Sequence, residues 1–186
     1  MVPKIALDPR QQSMLGFWQA ERRGMSVPLV ASLDPLKFDR EAIPYLIVAD
    51  ILNDRGRVQY RLIGEEMVRR WGVNFRGKRS DEMFTGDYLD FIERGFAQTR
   101  AERCPVYSES IFRWNDGGWI KTTRLLLPFA DAPDTAPSRV MVVQVFLGTD
   151  DFMKVPEIRV LRQEDISGRV LTRLGGKSDL ETAARG

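Results

Sequence analysis

The sequence predicts an α+β domain: a five-stranded antiparallel sheet with short helices on one face and an N-terminal flanking helix. Three observations carry this. The apolar period is two between Ile43 and Ile63, becomes helical as far as Glu102, and returns to two after Pro105. Turn chemistry at Asn53-Asp-Arg-Gly56 and Asn115-Asp-Gly-Gly118 joins successive β-rich runs tightly enough to make them antiparallel. A chain of 186 residues also suits one domain with extensions, whose core is stable without metals or disulfides.

Asp8-Pro9 starts the first helix, with Asp as N-cap and Pro at the first helical position. The helix runs to about Arg23, where Gly24 stops it. Met14, Phe17 and Trp18 give it an aromatic face that must be covered, either by the outer face of the sheet or by a second copy. Pro28 and Pro35 break the stretch from Gly24 to Arg40 into loop. Residues 43–63 read as a hairpin, and alternation puts Val58, Tyr60 and Leu62 on one face. A short helix then covers Gly64 to Trp71, with Met67 and Trp71 one turn apart and Glu65/Arg69 and Glu66/Arg70 as ion pairs. Ser80 caps another short helix through Phe84. Asp87 caps the longest, Tyr88 to Glu102, whose stripe is Leu89, Ile92 and Phe96 flanked by Tyr88 and Phe91.

Val106 to Trp114 and Trp119 to Phe129 form the second hairpin. Ala130 to Ser138 is a longer loop. Arg139 to Gly148 is apolar on both faces, so it belongs in the middle of the sheet. The chain divides into residues 1–40, the N-terminal amphipathic helix and linker; 41–150, the sheet and its helices; and 151–186, an extension. In that extension Ile158 to Leu161 can add a strand or a packed segment, and the polar end from Gly175 reads as a mobile tail.

Composition removes several function classes. With 28 basic and 26 acidic side chains the net charge is +2, short of the basic excess that a nucleic-acid binder concentrates on one face. The chain has no histidine, which rules out His-ligated haem, a His-containing zinc site, Ser-His-Asp or Cys-His catalysis, and a phosphoaccepting histidine. One cysteine, Cys104, allows no intrachain disulfide, which suits a reducing cytoplasm. No apolar run is long enough for a signal peptide or a membrane span. Gly175-Gly-Lys-Ser178 imitates the end of a phosphate-binding loop. The first glycine of that loop is replaced by Leu171, and no apolar strand precedes it. Asp81, Glu82 and Asp87 cluster at helix starts, where carboxylates complement the helix dipole.

The order of strand, strand, short helices and three strands is the layout of PAS domains. Specific residues resemble a bacterial group of stand-alone PAS-like proteins. They are Trp18, Arg22, Gly24, Pro28, Asp34 and Ile43-Pro44; Tyr60-Arg-Leu-Ile-Gly64 running into a helix that ends Trp71-Gly72; Arg76-Gly-Lys78; Cys104-Pro-Val-Tyr107; and Arg124-Leu-Leu-Leu-Pro-Phe129. The likeness extends from about Pro9 to Gly148. It implies a cytoplasmic, non-enzymatic sensory module that binds a small ligand or a partner protein, and a homodimer formed through a flanking helix, here Met14, Phe17 and Trp18. Flavin photochemistry is not expected: Cys104 lies in Glu-Arg-Cys-Pro-Val at a strand entry, unlike the Asn-Cys-Arg-Phe-Leu helix of the photoreceptor branch.

A pocket between sheet and helices in this layout is lined by Tyr60, Met67, Trp71, Tyr88, Phe91, Phe112, Trp114, Arg124 and Gln144. Arg124 and Gln144 are polar residues inside apolar strands. Buried, each needs partners, and a ligand carboxylate or ring heteroatom is one source. Other readings compete. Aromatic residues at these spacings also fill an ordinary core, which would make the protein a structural adaptor. A small enzyme on a ketosteroid-isomerase-like cone needs a buried carboxylate in a strand, for which Asp50 and Glu109 are the candidates.

Overall fold

The computed structural model describes residues 7–113, 119–147 and 166–173. Helix α1 (Pro9–Glu21) begins as the residues dictate. Asp8 accepts from the Arg10 backbone N–H, and Gln11 reaches back to the Asp8 N–H in a capping box. Its inward positions, Gln11, Met14, Leu15 and Trp18, recur at helical spacing. Strands β1 (Leu46–Ile51) and β2 (Val58–Ile63) form the first hairpin, and Asn53 Oδ1 accepts from the Arg55 and Arg57 N–H groups in the turn. Then come α2 (Glu65–Trp71), α3 (Ser80–Met83), α4 (Gly86–Glu102), β3 (Val106–Arg113), β4 (Trp119–Phe129), β5 (Arg139–Leu147) and β6 (Ile166–Arg173).

The sheet is antiparallel, in the order β2-β1-β5-β4-β3-β6. The five expected strands form its body, with β5 between β1 and β4, as its two apolar faces require. The sixth strand is a correction: the extension adds β6 to the outer side of β3, from Val106↔Arg173 to Phe112↔Ile166. Ile158 to Leu161, the tail from Gly175 and the Asn115–Gly118 turn lie outside the described residues.

Alternation along the strands divides the interior in two. Leu46, Val48, Leu125, Leu127, Phe129, Met141 and Val143 face α1 and pack with Met14, Leu15 and Trp18. Ile47, Ala49, Leu126, Val140, Val142 and Phe146 face α2, α3 and α4 and pack with Met67, Phe75, Phe84, Tyr88 and Phe96. Thus α1 takes the face opposite the other helices. The Trp18 indole donates to the Pro128 carbonyl at 2.7 Å, and the Gln11 amide donates to Thr123 Oγ1 and to the Val143 carbonyl.

Three local expectations are corrected. The β1–β2 register slips between Val48 and Ala49, so Arg61 has no opposite number. The bulge turns Leu62 outward and lets Ile63 pack beneath the helices in its place. Arg79, not Ser80, precedes α3: the Arg79 N–H donates to Glu82, while the Ser80 hydroxyl, fully buried, bonds Glu93. Thr85, not Asp87, precedes α4. In α2, Glu66 pairs with both Arg69 and Arg70.

Two glycines carry the packing of helices on sheet. A Cβ at Gly56, where φ is +87°, would stand 1.9 Å from the Glu93 carbonyl oxygen, so the hairpin turn lies directly against α4. A Cβ at Gly64 would stand 2.2 Å from the Pro44 carbonyl oxygen. Arg57 locks the same corner by pairing with Glu93 of α4 and Asp81 of α3.

Candidate functional site

Between the sheet and α2–α4 lies a cavity of about 30 Å³, room for one or two water molecules. Its floor is a polar row across three strands. The register sets Ser108 of β3 opposite Arg124 of β4, and Arg124 opposite Gln144 of β5. All three are on the same sheet face as Leu126 and Val142, and all three line the cavity. Arg124 is 4% exposed and Gln144 3%.

The opposite wall is aromatic. Tyr60 meets Phe75 edge-on at 4.8 Å, Phe84 meets Trp71 and Tyr88 at 5.2 Å each, and Trp71 leans over Tyr88 at 6.3 Å. Phe91 places its ring 5.7 Å from the Arg124 guanidinium carbon. Gly95 of α4 completes the wall, with Ile92 and Phe96 beside it.

Arg124 is held by neutral groups: Nη1 donates to Ser110 Oγ at 3.0 Å and Nη2 to the Tyr88 hydroxyl at 3.2 Å. Burial pushes the phenol pKa of Tyr88 upward and Arg124 only partly opposes it, so Tyr88 is no phenolate partner at neutral pH. Burial likewise raises the pKa of Tyr60, well beyond the ordinary phenol range. No Asp or Glu is among the described residues that line the cavity. Among the described residues none forms an ion pair with Arg124. Three lining residues also have a buried donor with no acceptor among the described residues: Trp71 Nε1, Arg124 Nε and Gln144 Nε2. Such an atom costs about 1–3 kcal/mol.

Of the expected lining residues, the structure brings Tyr60, Trp71, Tyr88, Phe91, Arg124 and Gln144 together. Met67 is fully buried beside them in the core but does not line the cavity. The backbone of Phe112 belongs to β3, its side chain is outside the described set, and Trp114 lies outside the described residues. Phe75, Phe84, Phe96 and Ser108 were not anticipated as lining residues. The alternation of Ser108 and Ser110 against Tyr107 and Glu109 in β3 was the available signal for the serine. Phe75, in the loop after α2, had none.

The expected dimer contacts are placed differently. Met14 and Trp18 are 0% and 1% exposed, packed with Val27, Phe38 and Ala42 against the chain's own sheet. Phe17 remains partly exposed and stacks edge-on against Phe38 at 5.2 Å. The candidate catalytic acids are also elsewhere. Asp50 pairs with Arg61 and Arg139, and Glu109 accepts from the Tyr107 hydroxyl at 3.0 Å. Cys104 is buried and does not line the cavity. Among the described residues no group of acidic or cysteine side chains is arranged to hold a metal ion, and no helix is long and apolar enough to cross a membrane.

Comparison with curated proteins gives no match, nor does comparison with solved structures. A family model described as PAS domain matches residues 8–143, which spans α1 and the sheet through most of β5. The chain belongs to the PAS domain family.

Proposed function

We propose that the protein is a non-enzymatic sensory module that binds a small ligand in the cavity between sheet and helices and passes the event to another protein, in a bacterial cytoplasm. The observation that carries this is a buried arginine and a buried glutamine under an aromatic wall, with three donors that have no acceptor among the described residues. A packed core of purely structural purpose favours apolar residues at such positions. A non-catalytic role is supported by the lining, in which the described residues include no carboxylate, histidine or cysteine to move a proton or attack a substrate.

The output rests on movement of α2 and α3. Trp71 ends α2, and Gly72 follows it in the left-handed region at φ 71°. Filling the cavity displaces Trp71 and Phe84 and shifts the population of helix positions that a partner reads. Helix α1 is fastened to the other face by Gln11 and Trp18, so a second copy would dock on the exposed surface around Phe17 rather than on Met14 or Trp18. The small volume favours one rival, an adaptor with a filled core, and a single experiment separates the two. Native mass spectrometry of the purified protein and a thermal-shift screen against small metabolites should find a retained molecule, or a ligand that raises Tm by several degrees at a hundredfold excess over Kd. Gly95→Leu, which fills the cavity from α4, should abolish that response. A chain that retains nothing and responds to no compound contradicts the reading.

A further inference from the structure

We infer that the cavity selects a monocarboxylate with a small, flat or short apolar body, and that Arg124 is the residue that receives the carboxylate. The inference rests on the cavity being a ligand site and adds the chemical class of the ligand.

Charge decides the sign of the ligand. Arg124 carries a positive charge at 4% exposure, and its hydrogen-bond partners Ser110 and Tyr88 are both neutral. A buried cation without a counter-charge is costly, and an anion beside it removes that cost. The Phe91 ring face compensates only in part. Magnitude decides the valence: among the described residues one guanidinium faces the cavity and no other cation lines it, so a dianion would carry an uncompensated charge into the interior. Donor chemistry decides the head group. Arg124 Nε, Gln144 Nε2 and Trp71 Nε1 are N–H donors without acceptors, and a carboxylate offers two acceptor oxygens to such a set. Register places Arg124 and Gln144 side by side on neighbouring strands, which suits two oxygens on one carbon.

The walls decide the body. Beyond the floor row the lining is aromatic and aliphatic, so the remainder of the ligand is apolar, and flat enough to lie against rings that meet edge to face. A volume near 30 Å³ keeps that body short unless Trp71 swings out from the end of α2.

The test uses the full chain and four probes, with binding followed by calorimetry and by the Trp71 indole N–H resonance. The probes are benzoate, benzyl alcohol, butyrate and inorganic phosphate. Benzoate or butyrate should bind, benzyl alcohol at least tenfold more weakly than benzoate, and phosphate not at all. Arg124→Met should reduce carboxylate affinity at least tenfold while leaving benzyl alcohol within about twofold. The wild-type comparison of benzoate with benzyl alcohol needs no variant, so a poorly folded Arg124→Met does not remove the test. Equal affinity for benzoate and benzyl alcohol overturns the acid selectivity and leaves the cavity as a ligand site. Phosphate binding at the Trp71 signal, titrated at a pH well above its second pKa so that it is a dianion, overturns the valence argument in the same way. Silence from all four probes overturns the inference, and it brings down the ligand-site reading as well if the metabolite screen is also silent.

Discussion

The two faces of the sheet are built from the same strands by the same alternation, yet they are finished differently. On the α1 face the polar groups close on one another: the Trp18 indole has the Pro128 carbonyl, and the Gln11 amide has Thr123 and Val143. On the face beneath α2–α4 the partly buried Trp71 has a buried indole N–H, and the buried Gln144 an amide N–H, without an acceptor among the described residues, and Arg124 has no counter-ion among them. A tryptophan and a glutamine thus occur on both sides, satisfied on one and unsatisfied on the other. Under the proposed function the first face is structural and the second is a place where stability was given up for recognition.

If that contrast is right, truncation on the closed face costs most. Trp18→Ala should destabilise the fold by about 3–5 kcal/mol, measured by denaturant unfolding, because it empties a fully packed site and strands the Pro128 carbonyl. A loss under 1 kcal/mol would mean that α1 is an accessory. On the open face the sign reverses. Arg124→Met replaces an unpaired buried charge by an apolar chain of similar length and should raise stability by about 1–2 kcal/mol in ligand-free protein. A clear loss would mean that Ser110 and Tyr88 already satisfy the guanidinium. Gly95→Ala should add about 0.5–1 kcal/mol: its Cβ meets Leu126 at an ordinary 3.5 Å, and alanine favours the helix.

The smallest effect concerns acid. Burial pushes the Asp50 carboxyl pKa upward, but hydrogen bonds from Arg139 and Arg61 outweigh it and hold the pKa below the ordinary 3.8. A depressed carboxyl pKa contributes stability above the unfolded value, lost as pH falls through the folded one. The wild type should therefore lose more stability than Asp50→Asn on acidification below about pH 4. Equal slopes would show that the Asp50 pairs contribute nothing.

Much of this architecture was legible before any coordinates. The Asp8-Pro9 start, the period of two on either side of the helices and the doubly apolar 139–148 run lead to α1, the hairpins and the position of β5. Arg124 and Gln144 stood out because polar residues in apolar strands are conspicuous. The rest depends on contacts distant in sequence. The bulge at Arg61 is invisible in a clean alternation, so Leu62 and Ile63 exchanged faces. The eight residues of β6 mix Ile, Val and Leu with Ser, Gly, Thr and Arg, and an edge strand joined through its backbone to β3 needs no apolar alternation. Phe75 reaches the cavity from a loop, where no periodicity points inward. The aromatic face of α1 was legible, but its partner was not, because a sheet and a second copy offer the same apolar cover.

The contrast between the faces is best tested by watching the Trp18 and Trp71 indoles at once. In a two-dimensional proton–nitrogen spectrum of the full chain, titration with benzoate should move the Trp71 indole N–H downfield as it gains an acceptor, while the Trp18 indole, already bonded to Pro128, stays in place. A Trp71 signal that never moves, or a Trp18 signal that moves as far, would contradict the assignment of one face to structure and the other to binding.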